Sequence, residues 1–484
     1  MKYVTEGYEP KDVLQFFEDI SRIPRASGNE AAIAQYLYDW GKGLGLDAYK
    51  DEFNNVVLKK KGSAGCENQP PIILQGHTDI VAIKLPDSDH DFDKDPLPLY
   101  VEDGKLRSRG TTLGADNGNA VAYMMGVLSR NDLVHPPLEC IFTSGEEIGL
   151  LGAADLDKNA FTAKRMINMD TGSLDQTSTV VSCAGGLEMK LKQKPVWQPA
   201  KGNFISLYIH GLKGGHSAQA INKGRGNAGK LVARIINHVS LYTKTVVATI
   251  NGGIKMNAVM SDIKAVISVE DISVAMAEIN KTIADIKDEL RVTDPGFVCE
   301  VAECAAPEKM LDDIQGKRLV QFVLTIPSTM RDISFELENT VINSNNLAAV
   351  QVEDDCITIW SFGRSNDDSR QDAMGEEIRA LADVFGYDAE IGVNFSGWKY
   401  NPDSKMRELH KRLFKEKFGI DLKIKFTHGG LECGVFFGKE PEMDIINFGP
   451  KCDGAHTPEE YLVLESFKET FEYLCFFLEE LTKQ

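Results

Sequence analysis

The stretch Leu138-Glu139-Cys140-Ile141-Phe142-Thr143-Ser144-Gly145-Glu146-Glu147-Ile148-Gly149 decides how the rest of the chain is read. Apolar residues run to Phe142, a short polar turn follows, and two acids then stand side by side. A buried strand that delivers its end to a site has this pattern. Adjacent carboxylates repel unless positive charge sits beside them. A metal ion relieves the repulsion, because one acid can ligate while the other handles a proton. Taken alone, the pair reads equally well as a solvated acidic loop.

Working outward, other apolar runs end in the same way. Ile72-Ile73-Leu74-Gln75-Gly76-His77-Thr78-Asp79 is a strand ending in His-x-Asp, and Met166-Ile167-Asn168-Met169-Asp170 is a short strand ending in an acid. A Gly-rich turn over 111–119 holds Asp116, and the loop 449–457 after the apolar run 445–448 holds His456. Helical spacing is read over 11–20, 120–128, 404–418 and 462–481. Ser27 and Glu30 form an S-x-x-E capping box opening a helix that runs to Trp40. After about Gly186 the character changes. Strand, strand and helix are read over 246–251, 263–269 and 274–290, and again over 347–353, 356–362 and 372–385. The expected organisation is an α/β catalytic domain in two parts, 1–186 and 393–484, around an inserted α+β lid over 187–392 built from a loosely duplicated unit.

The totals narrow the function classes. A chain of 484 residues exceeds one simple core. Its formal net charge of -19 disfavours nucleic acid and anionic membranes as partners. No apolar run is long enough to span a bilayer, and the first ten residues lack the apolar core of a signal peptide. The nine Cys are scattered without a C-x-x-C pair, which fits reduced thiols in a cytoplasm.

His77, Asp116, Glu147, Asp170 and His456 therefore stand at strand ends or in adjoining loops, where open α/β sheets bind ligands. Two imidazoles and three carboxylates suit zinc, with cobalt or manganese as acceptable substitutes. One bridging carboxylate would leave each of two ions one His and one acid, the two-metal hydrolase arrangement with ions about 3.5–4 Å apart and a water between them. The segments Gly76-His77-Thr78-Asp79, Leu113-Gly114-Ala115-Asp116-Asn117-Gly118, Glu146-Glu147-x-Gly149, Asn168-Met169-Asp170, Gly211-Leu212-Lys213-Gly214-Gly215-His216-Ser217, His428-Gly429-Gly430-Leu431-Glu432-Cys433 and Gly454-Ala455-His456-Thr457-Pro458 resemble the aminoacyl-histidine dipeptidases. That family, also called Xaa-His dipeptidase or peptidase D, belongs to the di-zinc clan of carnosinases and carboxypeptidase G. The likeness runs from about residue 10 to the end of the chain.

The resemblance implies a di-zinc aminopeptidase-like fold and the hydrolysis of unblocked dipeptides, extending to Xaa-His substrates of the carnosine kind. It implies two Zn2+ per chain. Asp116 would bridge them, His77 and Asp170 would complete one site, and Glu147 and His456 the other. Asp79 would hydrogen-bond the free nitrogen of His77, and Glu146 would be the general base. His216 would stabilise the oxyanion, Arg364 would hold the substrate's carboxylate, and Asn257 would assist beside them. Lid closure would bring His216 and Arg364 to the metals, and a homodimer is implied. His428 and Glu432 are substrate-contact candidates, although Glu432 reads equally as a helix cap or as a group orienting His428. His216 also reads as a plain surface turn, and Arg364 as a surface ion-pair partner. Gly145 stands where many relatives carry Asp, so a looser turn is expected there. Two alternatives remain open: an aminoacylase or carboxypeptidase-like hydrolase of N-acyl amino acids, and a non-catalytic protein of the same fold.

Overall fold

The structure is a computed structural model that describes residues 2–171, 177–337 and 340–484. Contacts divide it into two compact units. The first comprises Met1–Ser182, Trp398–Phe426 and Leu431–Gln484, and the second Cys183–Gly397 and Thr427–Gly430.

The first unit is built on a six-stranded sheet. Its strands lie in the order Asp47–Lys50, Val56–Lys60, Leu138–Thr143, Ile72–His77, Arg165–Asn168, Asp444–Asn447. The first two strands run antiparallel to their neighbours, and the last four are mutually parallel. Ile72, Ile73 and Leu74 are all fully buried, as are Cys140, Ile141 and Phe142. Consecutive apolar residues, rather than alternating ones, are what a parallel strand covered on both faces requires. The helices Lys11–Ser21, Ala115–Ser129, Lys405–Phe418 and Leu464–Leu481 contribute to the core around it. The parallel strands leave their carboxyl ends on one side of the sheet. His77 is the last residue of one, Ser144 to Glu147 follow a second, and Met169 and Asp170 follow a third. A small sheet pairs Tyr461–Val463 with both Cys452–Asp453 and Lys105–Ser108. His456 lies in the hairpin loop between the first two of these strands, and the third leads into the Asp116 turn.

The second unit carries a nine-stranded antiparallel sheet. Eight strands follow the order Val298–Glu303, Asn203–His210, Ile263–Val269, Thr245–Gly252, Val341–Val352, Ile357–Ser365, Gly186–Gln193, Asp388–Phe395, and Thr329–Ile333 pairs with the long central strand. Each half reads strand, helix, strand, strand, helix, strand with the same spatial order, and the halves join through Asn251↔Gln351 and Gly252↔Val350. The half starting at Asn203 is nested between the first strand and first helix of the other half. That helix, Asp313–Thr325, has no counterpart in the sequence reading. Asp312 caps it by accepting from the Gln315 N–H, and it buries Leu319, Val320, Phe322 and Val323.

The limits of the second unit differ from 187 and 392. The strand Asp388–Phe395 remains hydrogen-bonded to Gly186–Gln193 as far as Phe395↔Gly186. The segment Thr427–Gly430, read in the sequence as part of the catalytic domain, belongs to the second unit. There Gly429 O accepts from Ala184 N at 3.1 Å, and His428 Nε2 lies 2.7 Å from Ser344 Oγ.

Candidate metal centre

The first unit gathers His77, Asp116, Glu146, Glu147, Asp170 and His456, contributed by strand ends and loops far apart in the chain. Potential ligand atoms lie within 4.8 Å of one another in three triads: His77 with Asp116 and Asp170, Asp116 with Glu147 and His456, and His77 with Glu146 and Glu147. The first two share Asp116. Its Oδ1 is 3.1 Å from His77 Nε2, and its Oδ2 is 3.4 Å from His456 Nε2. His456 Nε2 is also 2.8 Å from Glu147 Oε1. One carboxylate thus faces an imidazole with each oxygen. His456 holds a left-handed backbone, φ +62°, a conformation uncommon for a residue with a side chain.

The electrostatics show what this cluster requires. Burial pushes the Asp170 carboxyl up to about 8, and the charge of Asp116, Glu432 and Glu147 reinforces it against His77. Glu146 is raised well above the carboxylate range, first by burial and then by Asp170, Glu432 and Glu147 against the pull of His77. Burial opposes charge on His77, yet hydrogen bonds to Asp116 and Asp79 hold that imidazole well above its ordinary value. Asp116 and Glu147 hold His456 up at about 10 against its burial. Negative charge is therefore in excess, and the imidazoles and the buried Arg25 guanidinium offset it in part. Divalent cations fit this donor set, with hard carboxylate oxygens and two imidazole nitrogens in two triads around a shared ligand.

Asp79 meets the free nitrogen of His77 through its main chain as well as its carboxylate. His77 Nδ1 is 3.0 Å from the main-chain carbonyl oxygen of Asp79 and 3.5 Å from its carboxylate. The carbonyl can only accept, so Nδ1 carries the proton and the backbone fixes the tautomer. The carboxylate also accepts from the main chain of the acid pair. Oδ1 accepts from Glu146 N at 3.1 Å, and Oδ2 accepts from Glu147 N at 3.3 Å and from Ser27 Oγ at 2.7 Å. Fully buried, Asp79 anchors the main chain of the acid pair. The proposed capping box is absent for the same reason. The helix begins at Ala31 with no side-chain cap, because Ser27 serves the buried carboxylate instead. Glu30 accepts from Gly28 N and from Gly145 N, at 2.8 and 3.2 Å. Gly145 sits at φ +58° with its N–H and carbonyl both bonded, so the turn is tied down rather than loose.

A row of buried amides lies across the strand ends. Asn447 Nδ2 donates to Asn168 Oδ1 and to Asp170 O, Asn168 Nδ2 to Gln75 Oε1, and Gln75 Nε2 to Thr143 Oγ1 and to Glu432 Oε2. All five side chains from Asn447 to Glu432 are fully buried. Glu432 opens the helix Glu432–Lys439, and its carboxylate goes to Gln75 and Thr143 rather than capping that helix. Burial pushes it up to about 7. The sequence reading gave no role to Gln75 or Asn168. The available signal was an amide standing inside an otherwise apolar strand.

The second unit gathers His216, Asn257, Arg364 and His428. Arg364 is buried at 4% exposure. Its Nε donates to Ser217 Oγ at 3.1 Å and its Nη1 to His428 O at 3.5 Å, and no carboxylate pairs with it among the described residues. A surface ion-pair role is thereby excluded. Burial draws the guanidinium down to about 10. His216 is lowered by burial and then by the charge of Arg364, and its loop is held by Ser217 N donating to Asn257 O at 2.7 Å. His428 is brought down to about 3 by burial, aided by Arg364.

The sequence profile of Peptidase family M20/M25/M40 matches residues 73–480. The chain belongs to this family. It is 31% identical over 478 residues to the cytosol non-specific dipeptidase of Escherichia coli (strain K12), covering 98% of each chain. The fold matches the crystal structure of the aminoacylhistidine dipeptidase from Vibrio alginolyticus with a TM-score of 0.91 at 28% identity, over 99% of this chain and 98% of that one. The aminopeptidase PepT from Bacillus cereus shares the fold more loosely, at TM-score 0.56 and 18% identity over 99% of this chain and 100% of that one. Metal-dependent peptide hydrolysis by an M20 enzyme is accordingly the activity of the site.

Proposed function

We propose that this chain cleaves the peptide bond of unblocked dipeptides, Xaa-His among them, with Glu146 as the general base. The supporting observation is the pair of donor triads sharing Asp116, with Glu146 grouped with His77 and Glu147 beside them. Divalent ions held by His77, Asp116 and Asp170 and by Asp116, Glu147 and His456 supply Lewis acidity at the scissile carbonyl and acidify the attacking water. Side chains do the rest. Glu146 takes the water's proton on its carboxylate and passes it to the leaving amine. Asp79 keeps Glu146 in place through its main-chain N–H. Arg364, a buried cation without an anionic partner among the described residues, receives the substrate's terminal carboxylate. His216 meets the oxyanion as a neutral imidazole, and Asn257, His428 and Glu432 serve substrate contact. Zinc is the proposed ion, with cobalt or manganese as substitutes.

The two relatives at 31% and 28% identity, each matched over 98% of its length, carry dipeptidase names, which does not favour the N-acyl alternative. A non-catalytic role would predict loss of a ligand or of the base, and all are present. Nine free cysteines and a relative named as cytosolic support a cytoplasmic location. No helix among the described residues is long and apolar enough to cross a membrane. A homodimer rests on the family resemblance and is checked by sedimentation.

The test is a dipeptide panel, including an Xaa-His and an N-acetylated member, with metal content measured on the same sample. Glu146→Ala is expected to retain both ions and lose about 10²–10⁴-fold in kcat. Glu147→Ala is expected to lose metal. The opposite pattern exchanges the two roles. Zinc-loaded protein that cleaves no dipeptide and is indistinguishable from Glu146→Ala refutes the proposal.

A further inference from the structure

Two buried charges beside the metal centre have no part in the chemistry above. Arg25, between the first two helices, is 1% exposed, and Glu460, in the hairpin loop of His456, is 2% exposed. Arg25 Nη1 donates to Thr78 O at 2.8 Å, and Nη2 donates to Gly114 O at 2.8 Å. Thr78 stands between His77 and Asp79, and Gly114 stands two residues before Asp116. Glu460 grips the same loop through its amides. Oε2 accepts from Leu113 N at 2.7 Å and from Gly114 N at 2.9 Å, and Oε1 accepts from Asp116 N at 3.2 Å. The loop is closed against Arg25 and Ile80. Gly114 has φ +70°, and a Cβ there would lie 2.7 Å from Ile80 Cγ2 and 2.8 Å from Arg25 Nη2.

Burying such charges carries a large desolvation penalty, and apolar side chains would brace a fold at least as well. What apolar groups lack is a fixed set of hydrogen-bonding directions. A guanidinium is a rigid planar fork, so one group sets the spacing of two carbonyls. A carboxylate at the start of the helix Ala115–Ser129 gathers three N–H groups that would otherwise have no partner. The three loops tied in this way are those of His77, Asp116 and His456. Given the two-metal reading above, we infer that Arg25 and Glu460 are positioning residues that hold Asp116 between His77 and His456, so that occupancy by the second ion depends on them.

The experiment strips the full-length protein with a chelator and titrates it with Co2+, following bound metal and the visible d–d absorption. Wild type is compared with Glu460→Gln and Arg25→Lys. Wild type takes up two equivalents. Each variant is expected to bind the second equivalent about 10- to 100-fold more weakly, the range typical for groups that orient ligands. The absorption band shifts, and at subsaturating metal kcat falls while KM for a dipeptide stays within about twofold of wild type. Apo proteins are melted in parallel. Variants that melt lower yet bind both equivalents as wild type does overturn the inference, since the two charges then only brace the fold. Failure of both variants to fold overturns it likewise, and if only Arg25→Lys fails, Glu460→Gln decides. Wild type that binds no ion or cleaves no dipeptide refutes the functional reading itself, an outcome distinct from equal binding by wild type and variants.

Discussion

Replacing Asp79 by Asn separates two accounts of this residue. In one, its carboxylate orients His77, and in the other it anchors the backbone of Glu146 and Glu147. The carboxylate receives Glu146 N on Oδ1, and Glu147 N and Ser27 Oγ on Oδ2. Asn keeps one acceptor oxygen and presents an NH2 group in place of the other. If its oxygen takes the Oδ2 position, the NH2 group faces Glu146 N and leaves that buried donor unpaired. If it takes the Oδ1 position, Glu147 N loses its acceptor, while the Ser27 hydroxyl can turn to accept from the NH2 group and donate to Ile80 O. The unpaired N–H is worth about 1–3 kcal/mol, and loss of charge from the remaining bonds weakens each of them. Of this, about 2–3 kcal/mol is expected to appear as misplacement of Glu146, a fall in kcat of about 30- to 160-fold. Metal content should stay at the wild-type level, because His77 Nδ1 is held by the main-chain carbonyl of residue 79, which the substitution preserves. The assay is kcat and KM with a free dipeptide, alongside metal analysis after dialysis. If Asp79→Asn loses metal as readily as His77→Ala, and excess zinc restores its turnover, the backbone-anchor account is wrong.

Two further outcomes follow from buried groups. His410 is fully buried beside Tyr473, Phe414, Phe448 and Phe477, and burial brings it from 6.5 down to about 3. Its folded pKa lies below the unfolded one, so the unfolded chain binds the extra proton. The stability it contributes is complete above 6.5 and is lost as pH falls toward 3. Between about pH 7.5 and about pH 5 this amounts to about 2 kcal/mol. Urea melts should show wild type losing about that much more than His410→Phe, and parallel losses would refute the assignment. For Arg364, Lys keeps the charge but not the fork, so kcat/KM for a free dipeptide should fall about 10- to 100-fold. The same dipeptide with an amidated C-terminus should be poor for both proteins. Wild type that cleaves the amide as fast as the acid removes Arg364 from carboxylate recognition.

Positions of the candidate ligands were legible in one dimension because the sheet is parallel and covered on both faces. Such strands are uninterrupted apolar runs, and the polar residue that ends each run lies at a carboxyl end where open sheets bind ligands. His77, the Glu146-Glu147 pair and Asp170 follow directly from that rule, and Asp116 and His456 stand in turns rich in glycine. The division of labour within the acid pair was not contained in two adjacent glutamates and came from motif order. Only the tertiary structure decided which partner each buried charge takes. Ser27 reads as a helix cap because its neighbours are local, yet Asp79 claims its hydroxyl from 52 residues away. Arg25 and Glu460 leave no periodic signal, since a single buried ion whose partners are main-chain groups changes no pattern along the chain. The segment Thr427–Gly430 belongs to the second unit because Gly429 and His428 find their hydrogen bonds there. Burial of apolar surface follows the periodicity of the sequence, whereas a buried charge must find donors and acceptors wherever the fold brings them.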